Sequence, residues 1–345
     1  VDRRATHAGM LPGFHRDRTP AGVVMTGAES GLAPQIASLL EVKHALGLPY
    51  VESGRHLAMF DAMCAERFPG QATVSREMAM AWSQARPGEH VNGQMRRITP
   101  VRQLAKHIAA QGIEAYVIPA GIPGRQVHYR PHLYTAGELR AIFDAADRIR
   151  ATPYGGRREL IIPAMFRTIY CLGLRPGEAR RLRRGDVDLT DGSIYIRESK
   201  GHKDRRVFLS DDLHAYLRGY DTAIEATQPG RAVFFPNRSG DPYNPSTIHC
   251  WFNELLETAG ITTASGPPMR VYDLRHAHVV EVINRQARAG RDPQALIGYL
   301  SAHLGHVNTA DTWYYFHLSA EFHPDLRAAA NTGIEAMFPE AGHAI

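Results

Sequence analysis

The chain has 345 residues, of which 44% are hydrophobic and 22% are charged, so it is long enough for two domains with buried cores. It has no run of about eighteen apolar residues and no signal-peptide pattern at its start, which predicts a cytoplasmic protein without a membrane span. Its three cysteines are isolated, which argues against a disulfide framework or a cysteine zinc site.

The net charge is +5, and lysine occurs only four times, so nearly all of the positive charge is arginine. The planar guanidinium suits the oxygens of a phosphate. A GC-rich coding sequence would give the same composition, so the positions of the basic residues are more informative than their number. The lysines are Lys43, Lys106, Lys200 and Lys203.

The first third of the chain predicts a small helical module. Residues 1–31 lack periodicity and predict a loose leader. Helical spacing then begins, and the expected helices are one over Ile36–Leu46, one capped by Ser53 and stopped at Phe68, one centred on Met78 and Trp82, and one over Gly93–Ala110 that begins or bends at Pro100.

The fourth predicted helix sets apolar residues against a basic face. That face predicts contact with a DNA backbone, where each paired phosphate adds salt-dependent affinity. The alternative is a solvated helix surface without a ligand. The predicted DNA contacts are Arg96, Arg97, Arg102 and Lys106.

Residues 118–132 are rich in Pro and Gly and predict an extended linker. A capping box at Thr135 and Glu138 then begins the first helix of a second domain. A buried helix is expected over Arg157–Leu172 with Gly173 as its C-cap. Pro176 begins the next helix, which holds Arg175 at a helix N-terminus.

The middle of the second domain predicts a small β-hairpin. Strands over Ser193–Ile196 and Arg206–Leu209 flank a positively charged tip at residues 199–205. Helices are expected over Ser210–Ala226 and from Asn244 or Ser246 onwards, and a last amphipathic segment ends near residue 338. The predicted fold class is therefore mainly α with a small antiparallel sheet (α+β).

The stretch of residues 270–318 concentrates arginine, histidine and tyrosine. These side chains suit an attack on phosphate, because arginine neutralises charge, imidazole moves a proton and a phenol can be a covalent nucleophile. Its key residues are the pair Arg275 and His276, the turn Leu304-Gly305-His306, and the tyrosines Tyr314 and Tyr315.

Five motifs in this order resemble the tyrosine recombinase (phage integrase) family. They are Gly173-x-Arg175-x-x-Glu178, Lys200-Gly201-x-Lys203-x-Arg205, Leu274-Arg275-His276, Leu304-Gly305-His306, and Tyr315 nine residues after His306. The resemblance implies an integrase-type fold with a helical core-binding domain at residues 32–117, a linker at 118–132, and a catalytic domain at 133–345 that ends in a tail.

The resemblance also implies roles for single residues. Arg175 and Arg275 would grip the scissile phosphate, His306 would hydrogen-bond it, and Tyr315 would form a 3′-phosphotyrosyl link. Lys200 precedes the hairpin glycine and would protonate the leaving 5′-oxygen. The other two basic residues of the hairpin, Lys203 and Arg205, would contact the DNA backbone.

Two adjacent tyrosines, Tyr314 and Tyr315, are candidates for the nucleophile. Neighbours on a helix point about 100° apart, so Tyr314 and Tyr315 cannot both be the nucleophile. The register from His306 selects Tyr315, and Tyr314 is expected to pack in the core.

Tyr272 stands where the family pattern has the first His of H-x-x-R-H, and a phenol with a pKa near 10 is a poor base at neutral pH. His276 or His278 is a candidate for the missing proton-handling role.

The resemblance implies double-stranded DNA at a specific site as the partner, a homotetramer on two DNA sites, and the integration or excision of a mobile element. Accessory DNA-bending proteins are further candidate partners. No metal and no ATP are expected, which agrees with the lack of a P-loop motif. The alternatives are a type IB topoisomerase and a DNA-binding relative whose chemistry is weakened by Tyr272.

Overall fold

A computed structural model describes residues 30–127, 129, 131–153, 155–199, 203–262, 268–316 and 318, without the side chains of 198, 199 and 203. Nearly all of the predicted leader, the amphipathic segment expected up to residue 338, and Lys200 lie outside these residues. The chain divides into two compact units, the first ending at His128 and the second beginning at Tyr129.

The first unit contains four helices around one apolar core. They are α1 (Ala33–Ala45), α2 (Val51–Arg67), α3 (Arg76–Ser83) and α4 (Val91–Ala110). The core is built from the residues that gave the sequence its helical period, including Leu57, Phe60, Met78 and Ile98, all fully buried. The four predicted helices are confirmed.

Two boundaries of the first unit differ from the prediction. Ser53 lies inside α2 and does not cap it, because the helix begins two residues earlier, after Tyr50 in a left-handed conformation (φ 50°). Pro100 does not begin the fourth helix, because α4 already starts at Val91 and continues through the proline.

The beginning of the predicted linker is packed on the first unit. Ile118 is buried in the core of this unit. The Arg102 guanidinium donates to the carbonyl of Ile118 at 2.8 Å and to the carbonyls of Pro119 and Ile122 at 3.0 and 2.7 Å. Residues 118–122 therefore belong to the first unit, because a side chain of α4 satisfies their backbone.

The second unit begins with the predicted capping box. The Thr135 hydroxyl accepts from the Glu138 amide, and the Glu138 carboxylate accepts from the Thr135 amide. The first helices are α5 (Ala136–Asp147), α6 (Arg158–Leu172) and the short α7 (Pro176–Arg180). Gly173 ends α6 at φ 58°, as predicted, and turns the chain towards Arg175.

A three-stranded antiparallel sheet follows, in the order β1-β2-β3. Its strands are β1 (Val187–Asp188), β2 (Ser193–Ser199) and β3 (Lys203–Phe208), and β2 pairs with β3 in the register Ile194 to Val207. The hairpin was predicted, but the two-residue β1 was too short to show an alternating pattern. A 3₁₀ turn at Arg184–Asp186 precedes the sheet.

Five more helices complete the described part of the second unit. They are α8 (Asp211–Glu225), α9 (Pro245–Thr258), α10 (Val271–Arg288), α11 (Ile297–Leu304), which follows a 3₁₀ turn at Pro293–Leu296, and α12 (Ala310–Phe316). The Asn244 side chain accepts from the Ser246 amide and caps α9. The mainly helical fold with a small antiparallel sheet is confirmed.

Two apolar clusters position the last three helices. The larger joins α5, α6, α8 and α9 to the first half of α10. The smaller packs Val279 and Ile283 of α10 against Leu300 and Leu304 of α11 and Phe316 of α12. Burial of this second cluster brings α10, α11 and α12 together. No helix among the described residues is both long enough and apolar enough to cross a membrane.

Candidate active site

Arg275 on α10 is fully buried. Its guanidinium donates to the carbonyls of Gly173 and Leu304, both at 2.7 Å, and approaches Nε2 of His306 at 3.1 Å. Its Nε has no partner among the described residues. Among the described residues, this buried cation is bonded to carbonyls and an imidazole but to no carboxylate. It is therefore well placed to bind an anion.

Arg175 reaches the same place from α7. Its guanidinium donates to the Glu178 carboxylate at 2.6 Å and to the carbonyl of Gly305 at 3.0 Å, and its side chain is 16% exposed. Gly305 ends α11 in a left-handed conformation (φ 63°). Pro176 begins α7 directly after Arg175, so the chain fixes the backbone from which this arginine extends.

The end of α11 binds three arginines through three consecutive carbonyls. The carbonyl of His303 accepts from Arg205 at 2.6 Å, and the carbonyls of Leu304 and Gly305 accept from Arg275 and Arg175. The last carbonyls of a helix have no partner within the helix and carry the negative end of its dipole. The Leu-Gly-His turn therefore positions cations, a role that the sequence alone does not reveal.

Glu178 connects two of these arginines. Its buried carboxylate accepts from Arg175 and, at 2.8 and 3.1 Å, from Arg205. Burial alone would raise the pKa of this carboxyl, but the hydrogen bonds and charge of Arg205, with the bonds from Arg175, lower it to about 2.

The expectation that Arg205 contacts the DNA backbone is corrected. Its side chain is 8% exposed and its guanidinium is bonded to Glu178 and to the carbonyl of His303. Those partners hold the arginine inside the protein. Of the other two hairpin residues, Lys200 and the side chain of Lys203 lie outside the described part of the chain, and their roles stay predictions.

His306 is held between α10 and α12. Since arginine has no acceptor, Arg275 donates to Nε2 of His306, and Nδ1 then carries the proton that is donated to the Thr312 hydroxyl at 2.7 Å. Burial, followed by the charge of Arg275, lowers the pKa of His306 to about 4. The imidazole is therefore neutral near pH 7. Thr312, fully buried, was not found from the sequence, because no local pattern indicates a partner on another helix.

The two tyrosines of α12 have opposite environments. Tyr315 is 3% exposed, and its ring stacks on that of His306 at 6.2 Å and 6°. Burial raises the pKa of Tyr315 to about 12. Tyr314 is 42% exposed, so the expectation that it packs in the core is wrong. Thr312, Tyr315 and Phe316 share the buried face of α12, which turns Tyr314 towards solvent.

A cavity of about 380 Å³ joins these side chains, and we call it the phosphate cavity. Its walls include Arg175, Tyr272, His276, His306 and Tyr315. Arg275 lies behind the wall, within hydrogen-bond distance of His306. Tyr272 is 36% exposed, and its ring lies 5.0 Å from that of His276. The structure thus brings together every predicted catalytic side chain that it describes.

The predicted basic face of α4 contains fewer available charges than expected. Arg97 is buried, and its guanidinium is paired with Glu89 at 2.7 Å and donates to backbone carbonyls, including that of Gln84 at 3.0 Å. Arg102 binds the backbone of residues 118–122. The expected DNA contact of Arg97 is corrected, whereas those of the partly exposed Arg102 and the exposed Arg96 and Lys106 stay predictions.

The histidines behind the cavity contact other protein groups. His303 has its Nε2 at 2.9 Å from the carbonyl of Leu172 and stacks on His278 at 5.9 Å. Within the described residues, no three side chains of His, Cys, Asp or Glu are grouped so that they could hold a metal ion.

The second unit of the chain matches a known protein family. Residues 134–321 match the phage integrase family. The predicted integrase/recombinase y4rB of Sinorhizobium fredii (strain NBRC 101917 / NGR234) is 30% identical over 303 residues, which is 83% of this chain and 92% of that protein. Tyrosine recombinase XerC of Staphylococcus saprophyticus is 26% identical over 66% of this chain and 71% of that protein.

Solved structures show the same fold. The XerH site-specific recombinase bound to palindromic difH substrate aligns with a TM-score of 0.62 at 18% identity, over 86% of this chain and 83% of that chain. A lambda integrase tetramer bound to a Holliday junction aligns with a TM-score of 0.56 at 14% identity, over 82% of this chain and 76% of that chain. Fold and relatives define the class as site-specific DNA recombinases. The family match covers more than half of the chain, which therefore belongs to the phage integrase family as a tyrosine recombinase.

Proposed function

We propose that this recombinase cuts and rejoins DNA through a 3′-phosphotyrosyl intermediate in which Tyr315 is the nucleophile. One observation carries the proposal: the buried Arg275 has no carboxylate bonded to it among the described residues and lies behind a cavity that also contains Tyr315. A phosphodiester in that cavity supplies the missing negative charge and places phosphorus near the phenol.

The residues divide the chemistry between them. Arg175 and Arg275 bind non-bridging oxygens and stabilise the charge that develops in the transition state. His306 hydrogen-bonds the phosphate once a phosphate oxygen replaces Arg275 at its Nε2: Nε2 then donates to that oxygen, and Nδ1 accepts from the Thr312 hydroxyl. The leaving 5′-oxygen takes its proton from Lys200, a role that rests on the hairpin motif.

The intermediate conserves the phosphodiester energy in the Tyr315–phosphorus bond, so the reverse attack by a 5′-hydroxyl needs no ATP. The proposal also includes no metal. We therefore expect formation of the covalent adduct to be unchanged in excess EDTA. A loss of cleavage that added Mg²⁺ restores would contradict this part of the proposal.

The substrate is double-stranded DNA at a specific site, and the biological role is the integration or excision of a mobile element. The integrase name of y4rB and the DNA-bound lambda integrase tetramer support this proposal. We propose that four copies act on two sites, with residues 320–338 of one copy docking on its neighbour. Accessory DNA-bending proteins would assist, and exposed Arg96 and Lys106 would contact the DNA backbone.

The test is a nicked suicide substrate that traps the covalent protein–DNA adduct. Tyr315→Phe should abolish the adduct and leave DNA binding intact. Tyr314→Phe is the matched control, because it removes the other tyrosine hydroxyl of α12 that borders the cavity and should leave adduct formation within about twofold of wild type. An adduct that persists in Tyr315→Phe and is lost in Tyr314→Phe would transfer the role to Tyr314.

The comparisons do not favour the two alternatives. A type IB topoisomerase would relax supercoiled plasmids that contain no specific site, and a DNA-binding relative would form no adduct. The same protein preparations should be assayed for relaxation and for adduct formation. Relaxation independent of site, or the absence of any adduct, would overturn the proposed recombination.

A further inference from the structure

The nucleophile of the proposed reaction has to lose a proton. The Tyr315 phenol is protonated at neutral pH, because burial raises its pKa to about 12. In the family pattern an imidazole stands at position 272, whereas this chain has a phenol there. A phenol is a weak base at neutral pH, so another group has to accept the proton.

His276 lies between the two phenols. It is four residues after Tyr272 on α10, so the two side chains share one face of the helix. The ring centroid of His276 is 5.0 Å from that of Tyr272 and 5.4 Å from that of Tyr315. Its ring also lines the phosphate cavity. Rings at this spacing come within reach of a direct hydrogen bond or of one bridging water after a small rotation.

The imidazole of His276 also has a nitrogen without a hydrogen bond among the described residues. Its Nδ1 is buried, and no hydrogen bond from the described residues reaches it. Buried polar atoms without partners are uncommon in folded proteins and point to an unfilled functional contact. This nitrogen therefore has unused capacity for a hydrogen bond in the described structure.

The other nearby histidines are occupied. His306 accepts from Arg275 at Nε2 and donates to Thr312 at Nδ1, which leaves neither nitrogen for the phenol. His278 stacks on His303 and packs beside Gly173, and it is not among the residues of the cavity wall. Of these three rings, His276 alone combines a place at the cavity with a nitrogen free of hydrogen bonds in the described structure.

Before substrate binds, the surroundings of His276 keep its imidazole neutral, which is the form that can accept a proton. Burial, then the nearby Arg275 and His306, lower its pKa to about 4, so the imidazole is neutral at pH 7. The phenols Tyr272 and Tyr315 are the other titratable groups in ring contact with it. A bound phosphodiester adds negative charge to the cavity and favours the imidazolium when the proton arrives.

We propose that His276 accepts the proton of Tyr315 during cleavage, in place of the imidazole that the family pattern puts at position 272. This inference rests on the proposed function. As the bond from the Tyr315 oxygen to phosphorus forms, the phenol proton moves to His276 and the bond from phosphorus to the 5′-oxygen breaks. The leaving oxygen takes its proton from Lys200. Rejoining reverses each transfer, so protons and electron pairs balance.

The first test is the pH dependence of cleavage by His276→Gln on a nicked suicide substrate in single turnover. General base catalysis contributes about 10²–10⁴-fold, and a loss of that size is expected at pH 7. Wild type should cleave at a nearly constant rate from about pH 6 to 9, whereas the rate of the variant should rise up to tenfold per pH unit, because hydroxide has to ionise the phenol. His278→Gln is the matched control on the same helix and should keep the wild-type pH profile.

Two further arms separate this role from others. A substrate with sulfur in place of the bridging 5′-oxygen has a leaving group that needs no proton. It should therefore restore the cleavage rate of a Lys200→Ala variant. The slow cleavage by His276→Gln should stay unchanged on this substrate. Adding Tyr272→His to His276→Gln should recover at least tenfold of the lost rate. DNA binding and thermal unfolding show whether each variant is folded.

The outcomes are distinct. If His276→Gln cleaves with the rate and pH profile of wild type, or if the substrate with the bridging sulfur restores its rate, the inference is overturned, because His276 then does not act on the nucleophile. The proposed function fails separately, through an adduct that persists in Tyr315→Phe. A folded His276→Gln with a slow, pH-dependent rate and a competent His278→Gln supports the inference.

Discussion

Replacing Glu178 by glutamine tests how the arginines of the site are held. The carboxylate of Glu178 accepts hydrogen bonds from Arg175 and Arg205, and its side chain is only 3% exposed. Glutamine keeps the size of the side chain but removes the charge. Both guanidiniums would then remain near each other without their shared anion.

The magnitude follows from the pKa of this carboxyl. A value of about 2 in the folded protein, against an ordinary value of 4.5, corresponds to about 3 kcal/mol of folding free energy. Because the folded pKa is lowered, this contribution is present above pH 4.5 and is lost as the pH falls from about 4.5 to about 2. Removing one partner of a buried pair costs about 3–5 kcal/mol in other proteins, which agrees.

The assay is urea unfolding at several pH values. The chain has three tryptophans, and a Trp82→Phe background leaves Trp251 and Trp313 to report on the second unit alone. Glu178→Gln should lower the free energy of unfolding by about 3 kcal/mol at pH 7, and the difference from the parent should fall below about half by pH 3.

Glu254→Gln is the control, because this carboxylate pairs with Arg158 but is 58% exposed. It should change the stability by less than about 1 kcal/mol at every pH. A Glu178→Gln effect under about 1 kcal/mol at pH 7, or one that stays constant between pH 2 and 7, would refute the view that this buried carboxylate holds the arginines by charge.

Other predictions concern residues whose roles the structure changed or sharpened. Arg97→Ala should destabilise the first unit by about 3–5 kcal/mol in urea unfolding, because it removes a buried guanidinium with its ion pair to Glu89 and its hydrogen bond to the carbonyl of Gln84, and it should leave the salt dependence of DNA binding unchanged. Arg96→Ala should leave the free energy of unfolding unchanged and should reduce the slope of log DNA affinity against log salt concentration by about one. Equal slopes for Arg96→Ala and wild type would show that Arg96 does not contact the DNA. Gly173→Ala should lower the thermal stability of the second unit by about 1–3 kcal/mol, because φ is +58° and the added methyl would lie 2.6 Å from the ring of His278; a neutral effect would contradict the tight turn.

Much of the fold could be predicted because its signals are local. The Thr135 capping box, the Asn244 cap and the Gly173 C-cap each depend on residues within one turn of a helix, and the structure has all three. Helical periodicity likewise gave the four helices of the first unit. The order of the five motifs and the register from His306 to Tyr315 belong to the sequence, and from them came the family resemblance that the comparisons confirm.

Only the tertiary structure determines which groups each arginine side chain binds. Arg97, Arg102 and Arg205 look alike in the sequence, yet packing gives each of them internal partners between 8 and 98 residues away. The same holds for Tyr314 and Tyr315, whose exposure depends on which face of α12 meets α10 and α11. Packing between residues far apart in the sequence determines which groups these side chains contact and which helix face is buried. A local sequence pattern does not specify such contacts.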